Sequence, residues 1–259
     1  MRRLIVTADD AGLHSGMTAG AIRAHREGIV TACSIVANGA AFEDAVDRLR
    51  EVPSLEVGVH LTLVEERPLT AMQFPKKYTS FVPLYLARLV SLGAIERELR
   101  AQIERVLASG LPVTHLNGHQ HLHLLPRIFA VVARLAAEYR IPYVRIVNEH
   151  PRERRLAIAA LSALGRRARG LFTNDRTIGV GIAGHLRDVV PLLDEIEGVT
   201  ELVTHPGIAV TGYGWGYDWE EETRALCAPG LREALAGRGI GLTGPSAALL
   251  QSSAPLPSS

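Results

Sequence analysis

Arg3-Leu4-Ile5-Val6-Thr7-Ala8-Asp9-Asp10-Ala11-Gly12 is a short apolar run that stops on two adjacent carboxylates and a residue able to turn the chain. A run with no polar face is how a strand covered on both sides of a parallel sheet reads. Two carboxylates at the end of a buried strand repel each other unless a cation or a proton neutralises them. Strand first, ionisable residues immediately after it: this order places chemistry at the C-terminal mouth of an α/β barrel.

The same order recurs along the chain. Strands are expected at Arg3–Thr7, Thr31–Val36, Leu55–His60, Thr114–Asn117, Tyr143–Val147, Glu201–Thr204 and Ile240–Leu242. Asn38 follows the second, His60 ends the third, His119 and His121 follow the fourth, Glu149 the fifth and His205 the sixth. Ala-, Leu- and Arg-rich stretches between them predict helices at Ser15–Glu27, Phe42–Glu51, Ile95–Ser109, Arg127–Glu138, Pro151–Arg169, His185–Glu195, Trp219–Leu226 and Pro229–Ala236. The fold class expected is therefore α/β, a TIM-like (β/α) barrel with about seven parallel strands, filling residues 1–259 as one domain. Residues 65–92 break the rhythm with Pro68, Pro75, Pro83 and the Lys76-Lys77 pair, so a lid loop over the barrel mouth is expected there. The Ser- and Pro-rich tail 252–259 is expected to be frayed.

Composition narrows the partners. Twenty-eight Lys and Arg against twenty-seven Asp and Glu leave a formal charge of +1, which gives no bulk field to gather nucleic acid. The expected partner is a small molecule. No run approaches the roughly 18 apolar residues of a membrane span, so no stable membrane insertion is expected. The apolar run Leu4–Ala8 is too short for the hydrophobic region of a secretory leader. Two isolated cysteines, Cys33 and Cys227, suit a reducing compartment, and a cytoplasmic location is expected.

Candidate chemistry gathers at four places. Asp9-Asp10 read either as a cation site or as a helix cap with a first-turn acid. In His115-Leu116-Asn117-Gly118-His119-Gln120-His121-Leu122-His123, four histidines fall in nine residues; in an extended run they alternate onto one face, and at least one is expected to bind metal or take part in catalysis. His60 closes a strand in which Gly58 allows another group to approach closely. One Asp with two His makes an open coordination set that leaves room for water and substrate. His205, before Pro206-Gly207, is a candidate general acid across from the Asp pair, with His121 as second choice. Arg145, a cation inside an apolar strand, is rarely buried without a carboxylate partner: it orients Asp9, binds substrate or forms an ordinary strand-end ion pair. Tyr213, Trp215, Tyr217 and Trp219, interleaved with glycines, read as a sugar-stacking wall or as a packed loop.

Taken together, Thr7-Ala8-Asp9-Asp10-Ala11-Gly12-Leu13, Gly58-Val59-His60, the His115–His123 run and His205-Pro206-Gly207 resemble the YdjC-like carbohydrate deacetylase family, in order, from residue 3 to about residue 245. That family includes chitooligosaccharide deacetylases and a hopanoid-biosynthesis branch. The resemblance implies a distorted (β/α) barrel, often a homodimer, that holds one divalent ion, Mg2+ or Zn2+, with Asp10, His60 and His119. It makes Asp9 the base and puts His205 in the family's His-Pro-Gly position. Ala11 departs from the pattern, which usually has Phe there, and changes packing near the substrate. The activity implied is removal of the N-acetyl group from an acetylated amino sugar by water that the ion activates. Alternatives are deacetylation of an acetylglucosaminyl lipid, a metal-dependent phosphoesterase, and a non-catalytic sugar-binding barrel.

Overall fold

The first strand, β1 (Arg2–Ala11), is the spine of the sheet, and every residue in it from Leu4 onward is buried. The computed structural model describes residues 2–149, 163 and 173–250, with 249 and 250 described through their backbone alone. The other strands are β2 (Ala32–Ile35), β3 (Glu56–Leu61), β4 (Val113–Gly118), β5 (Tyr143–Val144), β6 (Arg176–Ile178), β7 (Val199–Thr204) and β8 (Ile240–Leu242). Seven of them run in the order β5-β4-β3-β2-β1-β7-β6, all pairs parallel, and β8 joins the start of β1. This curled sheet is the expected distorted TIM-like barrel.

Helices α1 (Ser15–Arg26), α2 (Phe42–Arg50), α4 (Leu92–Ala108) and α5 (Pro126–Glu138) cover the outer face in βα alternation. Two further helices, α6 (Trp219–Leu226) and α7 (Leu231–Gly237), lead into β8, and α8 (Pro245–Leu250) follows it. Helix α1 starts where the His14 side chain accepts a hydrogen bond from the Gly16 N–H at 3.0 Å, satisfying one of the unpaired first-turn donors. A Cβ on Gly20 would lie 2.4 Å from the Gly207 backbone. Bare backbone at both positions therefore lets α1 seat the His205-Pro206-Gly207 turn at the barrel mouth. Gly58 does the same inside the sheet: the His115 ring lies where its Cβ would be, 2.3 Å away.

The register between β1 and β2 shifts between Ala8 and Ala11, where Asp9 and Asp10 sit. Asp10 has φ +68, a left-handed conformation that a non-glycine residue adopts only at a cost. This irregularity lets the two adjacent carboxylates leave the strand in different directions.

Four sequence expectations change. The run after β4 does not stay extended. Gly118 ends the strand, and His119–Leu124 winds into a 3-10 turn with Gln120 and His121 both at φ 53, so the histidines do not share one face. Of the helix expected at His185–Glu195, only a 3-10 segment, Val190–Glu195, is present. There Asp188 accepts from the Val190 N–H at 2.9 Å and Pro191 supplies no donor, which favours a turn over a longer helix. Strand Tyr143–Val147 shortens to two residues, because the Asn174 side chain takes over the backbone groups of Ile146, bonding its N–H and C=O at 3.0 Å each. The short strand β6 is an addition. Residues 65–92 are not wholly loop: they carry α3 (Tyr78–Leu86), with Phe81 and Tyr85 buried. The helix expected at Pro151–Arg169 and the tail 252–259 lie outside the described residues, apart from Ala163, which is helical.

Candidate active site

Strand ends converge at the C-terminal mouth. Asp10 Oδ1 lies 3.1 Å from His119 Nδ1 and 3.3 Å from His60 Nε2, and all three residues are buried. One donor atom from each falls within 4.8 Å of the others. A carboxylate and two imidazoles turned toward one point form a donor set suited to a divalent ion with open positions. His60 is held by its other nitrogen, Nδ1, which is 2.8 Å from Asn117 Oδ1 across the β3–β4 register. His119 is held likewise, with Nε2 3.1 Å from Glu65 Oε2. Ligating imidazoles are commonly oriented in this way through the second nitrogen. Burial opposes a charge on His119, yet Asp10 and Glu65 together push its pKa up to about 10. The site thus favours positive charge beside Asp10.

Asp9 faces the other way. Its Oδ1 accepts from Ser34 at 2.8 Å, Asn117 at 2.9 Å and Arg145 Nη2 at 2.9 Å, while Oδ2 accepts from Arg145 Nη1 at 2.5 Å. Burial disfavours its charge, but the Arg145 guanidinium outweighs that and holds the carboxyl well below the usual range. Arg145 is itself fully buried and spends its remaining edge on Glu201, Nε to Oε1 at 2.9 Å. Glu201 in turn accepts from Thr7 and Tyr143, each at 2.7 Å. With its guanidinium committed to two buried carboxylates, Arg145 orients Asp9 and has no edge left for substrate.

A cavity of about 420 Å³ opens over these groups, lined also by Tyr78, His121, His205 and Tyr217. His205 stands across it, Nε2 4.0 Å from Asp10 Oδ2, and its backbone N–H donates to Glu222 at 2.6 Å. The Nδ1 atoms of His121 and His205 are buried without a hydrogen-bond partner among the described residues. Glu222 is almost fully buried, and burial pushes its pKa up to about 7 despite His205 nearby. Trp215 lies 5.5 Å from the His119 ring and continues through Tyr213 and Tyr217 to Trp219, so the aromatic stretch packs on itself and also borders the site.

The sequence-selected residues Asp9, Asp10, His60, His119, His121 and His205 therefore meet around one cavity, with Arg145 directly beneath. His115 and His123 do not join them. His115 packs against Gly58, and His123 bonds the Arg145 carbonyl at 3.0 Å; burial lowers both to about 3. Asn38 braces Thr62 and the Arg67 carbonyl, and Glu149 meets the Gly181 N–H. Sequence reading missed Glu65, Glu201 and Glu222. Only Glu201 carried a signal, a lone acid inside a strand of Val, Thr and Leu.

A family model described as YdjC-like protein matches residues 3–237. A carbohydrate deacetylase of Brevibacillus brevis is 33% identical over 242 residues, covering 89% of this chain and 93% of that protein. A carbohydrate deacetylase of Vibrio campbellii is 29% identical over 255 residues, covering 93% and 94%. The crystal structure of a proposed cellobiose-phosphate cleavage protein from Enterococcus faecalis V583 superposes with a TM-score of 0.77 at 25% identity, covering 95% of this chain and 98% of that one.

Proposed function

The chain belongs to the YdjC-like protein family, and from that footing we propose that it is a metal-dependent carbohydrate deacetylase that removes the N-acetyl group of an acetylated amino sugar. Full-length similarity to two carbohydrate deacetylases supports the reaction class. The observation that carries the metal dependence is the convergence of Asp10, His60 and His119, three buried donors on one point.

A divalent ion held by those three residues, Mg2+ or Zn2+, would supply Lewis acidity, polarising the acetamide carbonyl and rendering water acidic enough to attack near neutral pH. Asp9 takes the attacking water's proton. Oδ1 already accepts three hydrogen bonds, whereas Oδ2 accepts one, so Oδ2 is the atom with room for that proton. Because Arg145 disfavours protonated Asp9, the group is ionised when it orients the water, and the proton it takes passes on to His205 once His205 has protonated the amine. His205, on the opposite rim, protonates the departing amine, which is too poor a leaving group as an anion. Tyr217, whose ring centroid is 5.2 Å from that of His205, and Trp215 form the wall on which the sugar ring stacks.

The phosphoesterase alternative is weaker: two-ion catalysis needs a second ligand cluster, and among the described residues Asp10, His60 and His119 form the one group found. The experiment is acetate release from N,N′-diacetylchitobiose by chelator-stripped enzyme, with zinc or magnesium restored, beside Asp9→Asn. Release that requires the ion and vanishes in Asp9→Asn is the expected result. Equal release by the stripped and restored enzyme sinks the metal-dependent reading.

A further inference from the structure

Six large apolar side chains are exposed among the described residues, and four of them, Tyr78, Leu84, Leu86 and Leu89, lie within twelve residues of the lid. Leu86 is 67% exposed and Leu89 73%. Exposed clusters of this kind mark contact surfaces, whereas scattered single leucines do not.

The lid is also unusual in charge. From Arg67 to Ile95 the sequence holds no Asp or Glu but four cations, Arg67, Lys76, Lys77 and Arg88, in a chain whose overall charge is +1. All four are exposed, and none takes part in an ion pair among the described residues. Glu65 and Glu66 border the groove that Lys76 and Lys77 line, but Glu65 is committed to His119 and Gln120, and Glu66 is part-buried.

Helix α3 joins this surface to the catalytic cavity. Tyr78, Val82 and Leu86 stand at i, i+4 and i+8, one stripe of the helix. Tyr78 and Val82 line the cavity, and the stripe emerges into solvent at Leu86 and then Leu89.

We propose that the lid surface at Leu86 and Leu89, flanked by Lys76, Lys77 and Arg88, docks on an anionic lipid surface and presents the mouth of the cavity to the headgroup layer. Leucines entering the headgroup boundary beside exposed cations are the combination that holds peripheral proteins there. A second copy of the chain fits this face poorly. A two-fold interface sets each patch against itself, opposing its cations with no acid between residues 67 and 95 to pair them. Docking of this kind inserts no helix across the bilayer, and no helix among the described residues is long and apolar enough to do so. The proposal is independent of the reaction performed at the site.

The test is sedimentation of the purified full chain with phosphatidylcholine vesicles and with vesicles that also contain phosphatidylglycerol, with analytical ultracentrifugation of the protein alone. The expected result is cosedimentation with the anionic vesicles only, suppressed by high salt. Arg88→Ser should weaken it roughly fivefold, and Leu86→Ser with Leu89→Ser on the order of tenfold or more. Both leucines are exposed, so the double variant should fold, and circular dichroism checks that it does. Absence of the protein from both vesicle pellets overturns the proposal. So does lipid binding that survives the double variant, or a dimer that the double variant dissociates, which would assign the face to a second copy.

Discussion

Arg145 grips Asp9 through two parallel hydrogen bonds, Nη1 to Oδ2 at 2.5 Å and Nη2 to Oδ1 at 2.9 Å, while Nε holds Glu201. One fully buried cation thus serves two buried carboxylates, one at the cavity and one behind it. The arrangement makes the position of Asp9 depend on β5 and β7, strands far from β1 in sequence. Buried ion pairs of this sort add little net stability, but breaking one from the cationic side strands the acids.

That asymmetry sets the first expectation. Arg145→Met should cost about 3–5 kcal/mol, because it leaves Asp9 and Glu201 both charged and unpaired. Glu201→Gln keeps the Asp9 pair and can still accept from Thr7, while the bond to Tyr143 must reverse, the amide donating to the phenol oxygen, and it should cost only about 1–3 kcal/mol. Urea midpoints at neutral pH separate the two, and equal losses would show that Arg145 does not hold both acids.

Glu222 sets the second. Burial raises its folded pKa from 4.5 to about 7. Below pH 4.5 the carboxyl is protonated in both states and imposes no penalty. Between pH 4.5 and 7 the unfolded chain ionises first, so stability falls as pH rises, and above 7 the loss is complete. The shift corresponds to a loss on the order of 3 kcal/mol. Glu222→Gln should flatten this slope, and urea midpoints taken from pH 4.5 to 8 measure it. A wild-type slope unchanged in Glu222→Gln would exonerate the residue.

Much of this candidate site is legible in the sequence, for a physical reason. In an α/β barrel the strand ends are the site, so Asp9, Asp10, His60 and His205 declare themselves by following apolar runs. What was hidden depends on distance or on local backbone strain. Glu201 matters because Arg145 lies opposite, 56 residues away in the chain, and periodicity carries no trace of such a pairing. Glu65 reaches His119 from a loop and from a left-handed backbone, φ +71. The His119–Leu124 turn defeated the assumption of alternation: two consecutive left-handed residues, Gln120 and His121, rotate the later histidines, so that His123 falls under Arg145. Helix α3 was masked by Pro83, which it carries internally.

The third expectation concerns the ion and uses Trp215 as a reporter. Its ring lies 5.5 Å from that of His119, and the chain has only two tryptophans. Chelator-stripped protein titrated with zinc or magnesium should change its tryptophan emission. It should also gain about 2.7 kcal/mol of stability at a hundredfold excess over Kd, which raises Tm by several degrees in a chain of this size. Trp215→Phe should remove most of the optical signal and keep the thermal one. His119→Ala and Asp10→Ala should abolish both, since each takes one of three donors from the point where they meet. Asp9→Asn is the discriminating variant. If Asp9 handles the proton and does not ligate, the thermal shift persists in Asp9→Asn while acetate release is lost. If the shift disappears with the activity, Asp9 belongs to the coordination set, and the division of labour between the two adjacent carboxylates is wrong.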